Sequence, residues 1–163
     1  MDKVIVRSAV RDDLMGLLAL YRHLHADDPA VDTATAERVW ETLIGSALVT
    51  VVVAELERRL VASCTLAVIP NLTRGGRPYG VIENVVTHAE QRRMGLGRQV
   101  LAYALDVARR AGCYKVCLAT GSKRESTLRF YEGAGFERGG KTYFEVRDRD
   151  GGAYLGFGGE PGK

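Results

Sequence analysis

The stretch YGVIENVVTHAEQRRMGLGRQVLAYALDVARRAG, residues 79 to 112, decides how this chain folds. Its first part is apolar and β-branched at Val81, Ile82, Val85 and Val86, which reads as a buried strand. A polar turn follows, holding Arg92, Arg93, Gly95 and Gly97. A helical pattern then runs from Arg98 to Ala111, with Leu101, Ala104, Leu105 and Ala108 on one face and Gly112 ending it. Strand, basic glycine turn and helix together make a phosphate holder. The N–H groups of a helix's first turn have no intrahelical partner, and the helix dipole adds positive potential there. Gly95 and Gly97 carry no Cβ, so an anion can come close to the backbone. Arg92, Arg93 and Arg98 add charge beside it.

Working outward, VIVRSA (4–9) reads as a first strand and 11–25 as a helix with Leu14, Leu17, Leu18, Tyr21 and Leu24 at helical spacing. Residues 26–30 read as a loop, and Asp32 or Thr33 as the cap of a second helix with Ala36, Val39, Trp40, Leu43 and Ile44 on its apolar face. Residues 47–56 and 60–69 pair as a hairpin across a charged turn, Glu57-Arg58-Arg59. The loop 70–78, just before the central strand, is placed to reach over a substrate. Beyond the long helix come a strand at 115–120, a short helix from Ser122 to Glu132, a strand at 142–146 and a last strand at 153–157. The order β-α-α-β-β-β-α-β-α-β-β predicts a mixed α/β (α+β) fold, a sheet of six to seven strands with helices on both faces.

The chain has 163 residues, 46% hydrophobic and 26% charged, ordinary for one globular domain spanning 1–163. The cofactor core covers about 79–136 and the acceptor-side helices about 11–45. A net charge of +3 and a pI near 8.8 suit an anionic ligand. No basic stripe with interleaved aromatics argues for nucleic acid. No run approaches the ~20 apolar residues of a membrane span, and the N-terminus has no apolar signal core. Cys64, Cys113 and Cys117 lack metal-ligand spacing and read as free thiols in a reducing compartment, so no metal and a cytoplasmic location are expected.

A second block strengthens the first. Arg92-Arg93-Met94-Gly95-Leu96-Gly97 fits the pattern Arg/Gln-x-x-Gly-x-Gly/Ala. No Gly-Lys-Ser/Thr follows, so it is not a Walker loop. Only two glycines are usably spaced, so it is not a dinucleotide fingerprint. Downstream stands Phe130-Tyr131-Glu132-Gly133-Ala134-Gly135-Phe136. The two motifs, in this order, resemble the GNAT N-acetyltransferase superfamily over roughly residues 50 to 147. Ile82-Glu83-Asn84-Val85-Val86 with Gly112-Cys113-Tyr114-Lys115 is similar to glucosamine-6-phosphate N-acetyltransferases and to small bacterial GNATs. The chain departs from the phosphosugar enzymes at Ala119-Thr120, where they carry Asp-Cys, and at Ser126 or Thr127, where an Asn is common.

The resemblance implies an acetyl-CoA-dependent enzyme, with direct attack of a small molecule's primary amine on the thioester in a ternary complex. It places the pyrophosphate on Arg92, Arg93, Met94, Gly95, Leu96, Gly97 and Arg98, and the thioester and pantetheine along Val85, Val86 and Thr87. In such enzymes the central strand bulges and splays, freeing an N–H to polarise the acetyl carbonyl. Ser122, Thr127, Phe130 and Tyr131 complete the cofactor contacts. Tyr131 is the candidate general acid, since a phenol can protonate a thiolate of comparable basicity. Glu83, a lone carboxylate in an apolar strand, is the candidate base, directly or through water, and partial burial is expected to tune it. His88 reads as a solvated turn residue, His23 and His25 as surface residues, and Cys117 as an inert thiol buried in mid-strand. Asp27, Asp28 and Asp32 hint at a cationic acceptor. A peptide or protein amine, or acyl-CoA binding without catalysis, are the alternatives, and a homodimer through strands after Val146 is plausible.

Overall fold

The computed structural model of the chain describes residues 3–147. Five strands form one sheet in the order β1-β2-β3-β4-β5: Ile5–Ser8, Val49–Leu56, Arg59–Ile69, Tyr79–Thr87 and Val116–Leu118. The first four are antiparallel neighbours, and β5 runs parallel to β4. Glu57 and Arg58, with φ of 49° and 62°, form the tight turn of the β2–β3 hairpin, where Leu56 pairs with Arg59. Two left-handed residues match the twist of the flanking strands.

Helices cover both faces, as the pattern predicted. On one side α1 (Leu14–Tyr21) and α2 (Thr33–Gly45) bury Leu17, Leu20 and Trp40 against Val51, Val53 and Val86. Asp32 caps α2 by accepting the Thr35 N–H at 2.9 Å. On the other side α4 (Leu96–Arg110) lays Leu96, Val100, Leu101, Ala104 and Ala108 on Ala54, Ala62, Cys64, Leu66 and Ile82. The alternation of β2 therefore serves two cores at once, Val51 and Val53 on one face and Val52 and Ala54 on the other. Arg7 ties the α1 entry to the sheet. It donates to both oxygens of buried Asp13 at 2.6 and 2.9 Å and to Glu55 at 2.7 Å. The guanidinium holds the Asp13 carboxyl below its usual range.

Several expectations need correction. The first helix ends at Tyr21 rather than His25, after opening with a single 3-10 turn at Arg11–Asp13. The described sheet has five strands, not six or seven. Thr142–Val146 joins no strand of the described sheet, with Tyr143, Phe144 and Val146 exposed. Strand-forming residues make a strand only where an edge accepts their hydrogen bonds. The strand expected at 153–157 lies outside the described residues. The loop 70–78 contains the helical turn α3 (Thr73–Gly76) and is pinned by Arg77, which donates to the carbonyls of Gly112 and Cys113 at 3.3 and 3.4 Å. That end of α4 is the one remote from the Arg92–Gly97 turn. Cys117 is exposed, not buried: Val116 and Leu118 pack on the α4 side, so Cys117 points to the other face, where the α1–α2 core does not reach β5.

Candidate active site

The site grows out of β4. Its first half pairs on both sides, with Gly80, Val81 and Ile82 against β5 and against Val68, Ala67 and Leu66 of β3. From Glu83 onward β5 contributes no partner, so β4 leaves its neighbour there. On the β3 side the ladder slips: Thr65 pairs with Glu83 and Ser63 with Val86, leaving Asn84 and Val85 opposite Cys64 alone. Asn84 sits at φ 53°, the left-handed conformation such a bulge needs and one that asparagine tolerates. The result is backbone released from the ladder beside an opening in the sheet. Asn84 is a site-forming residue that the sequence patterns did not single out. A signal existed, because asparagine is depleted in strand interiors.

At the far end of β4, Thr87 leads through a 3-10 turn (Ala89–Gln91) into the glycine turn. Arg93 (φ 66°) and Gly95 (φ 77°) reverse the chain, and α4 begins at Leu96 with no side-chain cap. The first-turn N–H groups therefore face outward, available to an anion. Arg92, Arg93, Met94 and Gly95 are exposed, and Arg92 Nε donates to the Thr87 carbonyl at 3.4 Å. The two glycines have different reasons to be glycine. Gly95 is open, with nothing within 4 Å of a would-be Cβ. Gly97 is buried, and a Cβ there would meet the Phe130 ring at 2.9 Å and Thr87 Oγ1 at 3.3 Å. Close packing, not anion access, is what Gly97 provides. Leu96 is buried in the core, so only its backbone can serve a ligand. The Arg98 guanidinium lies against Gly133, at the end of the next helix, rather than over the turn.

That next helix, α5 (Glu125–Glu132), brings Phe130 and Tyr131 to the same opening. Ser122 and Thr127 are occupied with its start. Their hydroxyls bond each other at 3.1 Å, and Ser122 Oγ accepts the Arg124 N–H at 3.3 Å. Tyr131 is half-buried between Phe130 and Phe136, with ring centroids at 4.9 and 6.3 Å. Burial chiefly raises its phenol above the ordinary value, with Cys64 and Glu83 adding to the rise. A raised phenol stays protonated, the state a proton donor needs. Glu83 thus lies within electrostatic reach of Tyr131, but it is exposed, so the burial expected to tune it is not present. Val85 is half-buried on the α4 side, and Val86 is buried on the α1 side. Burial pushes the Cys64 thiol up to about 12.

The histidines also differ from expectation. His88 is not simply solvated. Its ring lies 4.1 Å from that of His23, and its Nδ1 accepts the Glu90 N–H at 3.3 Å. His23 is half-buried, while His25 is exposed. A cavity of about 820 Å³ runs along β5 and α5 and touches Tyr131 but not the glycine turn. Among the described residues no cluster of His, Cys, Asp and Glu could hold a metal, and no helix is long and apolar enough to cross a membrane.

A bulged central strand followed by a glycine turn and a helix N-terminus is the arrangement that the GNAT resemblance implies. The sequence profile of the acetyltransferase (GNAT) family matches residues 17–136, and the chain belongs to that family. A glucosamine 6-phosphate N-acetyltransferase of Trypanosoma brucei brucei is 42% identical over 78 residues, 48% of this chain and 51% of that one. The chain thus spans about half the length of this curated relative. A solved protein of Agrobacterium tumefaciens str. C58 that carries the name acetyltransferase is 42% identical, with a TM-score of 0.84 over 88% of this chain and 99% of its own. A solved acetyltransferase of Trypanosoma brucei is 30% identical, with a TM-score of 0.76 over 88% of this chain and 99% of its own.

Proposed function

We propose that this protein transfers an acetyl group from acetyl-CoA directly to the primary amine of a small molecule. The observation that carries this reading is the convergence at one opening of the sheet. The bulge at Asn84, the half-buried Tyr131 phenol and the Glu83 carboxylate meet there, with the phosphate-holding turn at the end of the same strand. The pyrophosphate lies on the turn and the first-turn N–H groups of α4. The thioester lies along Val85 and Val86, where an N–H freed by the bulge polarises the acetyl carbonyl. Glu83 takes a proton from the acceptor ammonium, directly or through water. The neutral nitrogen attacks the carbonyl carbon, the C–S bond breaks, Tyr131 protonates the departing CoA thiolate, and the second proton of the attacking nitrogen returns through solvent to the Tyr131 phenolate as the amide forms.

The acceptor we favour as first probe is glucosamine 6-phosphate, the substrate in the name of the Trypanosoma relative. Ala119-Thr120, standing where Asp-Cys is found in phosphosugar enzymes, argues that the acceptor pocket is not identical.

The test is thiol release from acetyl-CoA with glucosamine 6-phosphate and a panel of other amines, alongside thermal unfolding with acetyl-CoA. A ligand at 100 times its Kd stabilises by about 2.7 kcal/mol. Turnover that collapses in Tyr131→Phe supports the mechanism. Stabilisation without turnover, unchanged in Tyr131→Phe, would make the protein an acyl-CoA-binding module instead. Turnover with peptide amines alone would move the acceptor to a protein N-terminus or lysine.

A further inference from the structure

Behind Glu83, on the α1 face of the sheet, lies a group of hydroxyls that the mechanism above does not use. Ser63 on β3 is fully buried, and its Oγ is the buried side-chain oxygen or nitrogen that lacks a hydrogen-bond partner among the described residues. It pairs across the ladder with Val86 on one side and Val53 on the other. Thr65, two residues on and therefore on the same face, pairs with Glu83. Burial raises the Tyr21 phenol and the Thr65 and Ser63 hydroxyls draw it back, so its oxygen lies near both without a direct bond to Ser63 Oγ, and its ring packs on the core of Leu17, Leu20, Trp40 and Val86.

An unpartnered hydroxyl in a dry core is costly, so a native structure that keeps one generally supplies a partner. A bound water is the usual one where several polar groups converge. Cross-strand partners on one face have Cβ atoms roughly 4.5–5.5 Å apart, which brings Thr65 within side-chain reach of Glu83. Resting on the functional reading above, we propose that Ser63 and Tyr21 hold a buried water, and that this network orients Thr65 toward Glu83. Tyr21 is thereby a positioning residue for the acceptor-side base.

The water is the link between Tyr21 and Ser63, so their substitutions are coupled. Tyr21→Phe and Ser63→Ala each remove one oxygen and leave the packing nearly intact. Each variant lowers kcat for acetyl transfer to glucosamine 6-phosphate about tenfold with an unchanged KM for acetyl-CoA. The double variant is no worse than either single one, the mark of a shared partner. Multiplying losses, or a KM for acetyl-CoA that rises in step, would overturn the positioning role.

Melting measurements test the water without any substrate. Ser63→Ala lowers Tm if its hydroxyl is bridged, and raises Tm if the hydroxyl is unpaired, because a desolvation penalty is removed. A raised Tm overturns the water. So does high-resolution density with no water within about 3.2 Å of both Ser63 Oγ and Tyr21 Oη. Wild-type protein with no turnover on any amine overturns the base-positioning half together with the functional reading, and the density between Ser63 Oγ and Tyr21 Oη then decides the water alone.

Discussion

Helices α4 and α5 meet at the same opening of the sheet but are held in different ways. α4 buries Leu96, Gly97, Val100, Leu101, Ala104 and Ala108, a full stripe over the sheet. α5 has no fully buried residue and reaches the core through the half-buried Phe130 and Tyr131. The helix whose N-terminus presents free N–H groups is thus part of the fold's foundation. The helix with the candidate proton donor is a light attachment, seated by one ring against Gly97 and by Arg98 against Gly133. The difference predicts that damage to α5 removes chemistry while sparing stability, and that damage to α4 removes both.

Tyr131→Phe is the sharpest cut on the α5 side. Loss of a general acid lowers kcat by about 10²- to 10⁴-fold. Acetyl-CoA stabilisation in a thermal melt is expected to stay at the wild-type level, since the ring that packs on Phe130 and Phe136 is retained. The phenol's raised ionisation also fixes a sign. The folded group holds its proton above the unfolded value near ~10, so the basic limb of kcat lies beyond pH ~10. A basic limb well below that value would remove Tyr131 from the role.

Leu101→Ala strikes α4 instead. Leu101 is fully buried between the helix and β3, and truncation of such a side chain costs about 2–5 kcal/mol. For a domain of this size each kcal/mol shifts Tm by roughly 2–4 °C. The melting temperature should fall, and acetyl-CoA affinity should fall with it if the N-terminal turn depends on the helix beneath. Unchanged affinity in the surviving folded protein would separate the turn from its helix and break the comparison.

Much of this arrangement is legible in the residues. The apolar stripe of Leu101, Ala104, Leu105 and Ala108 marks a helix, and Val81, Ile82 and Val86 mark a strand, because periodicity is local; the helix begins at Leu96, two residues before the expected Arg98. The bulge is legible only as the odd presence of Asn84. The exposure of Glu83 is not, since whether a strand residue faces solvent depends on how far β5 follows β4. The role of Gly97 escapes the sequence for a related reason. Its neighbour Phe130 lies far along the chain, and no local pattern reveals their packing across the sheet opening. Tyr21 and Ser63 read as ordinary core positions until their hydroxyls are seen on one face.

The two glycines of the turn separate packing from ligand approach at single-methyl resolution. In Gly97→Ala the new methyl meets the Phe130 ring, and overpacking of this kind costs about 1–3 kcal/mol. Because Phe130 is what seats α5, the variant should also displace Tyr131 and lower kcat. Truncating the ring in a Gly97→Ala/Phe130→Leu double variant should recover part of the lost stability. Additive losses instead would mean that the two side chains do not share this space.

Gly95→Ala is the milder change. Its Cβ meets nothing, and the penalty is the left-handed backbone alone, about 1–2 kcal/mol. Stability should fall by about that amount, and kcat at saturating acetyl-CoA should change little. Affinity is the discriminating quantity. If the pyrophosphate lies over this turn, the methyl projects into its space and Kd for CoA rises, roughly tenfold for each 1.4 kcal/mol by which binding weakens. An unchanged Kd, in a variant that melts only slightly early, would leave the first turn of α4 without its anion. The α4 side of the comparison would then be a scaffold and nothing more.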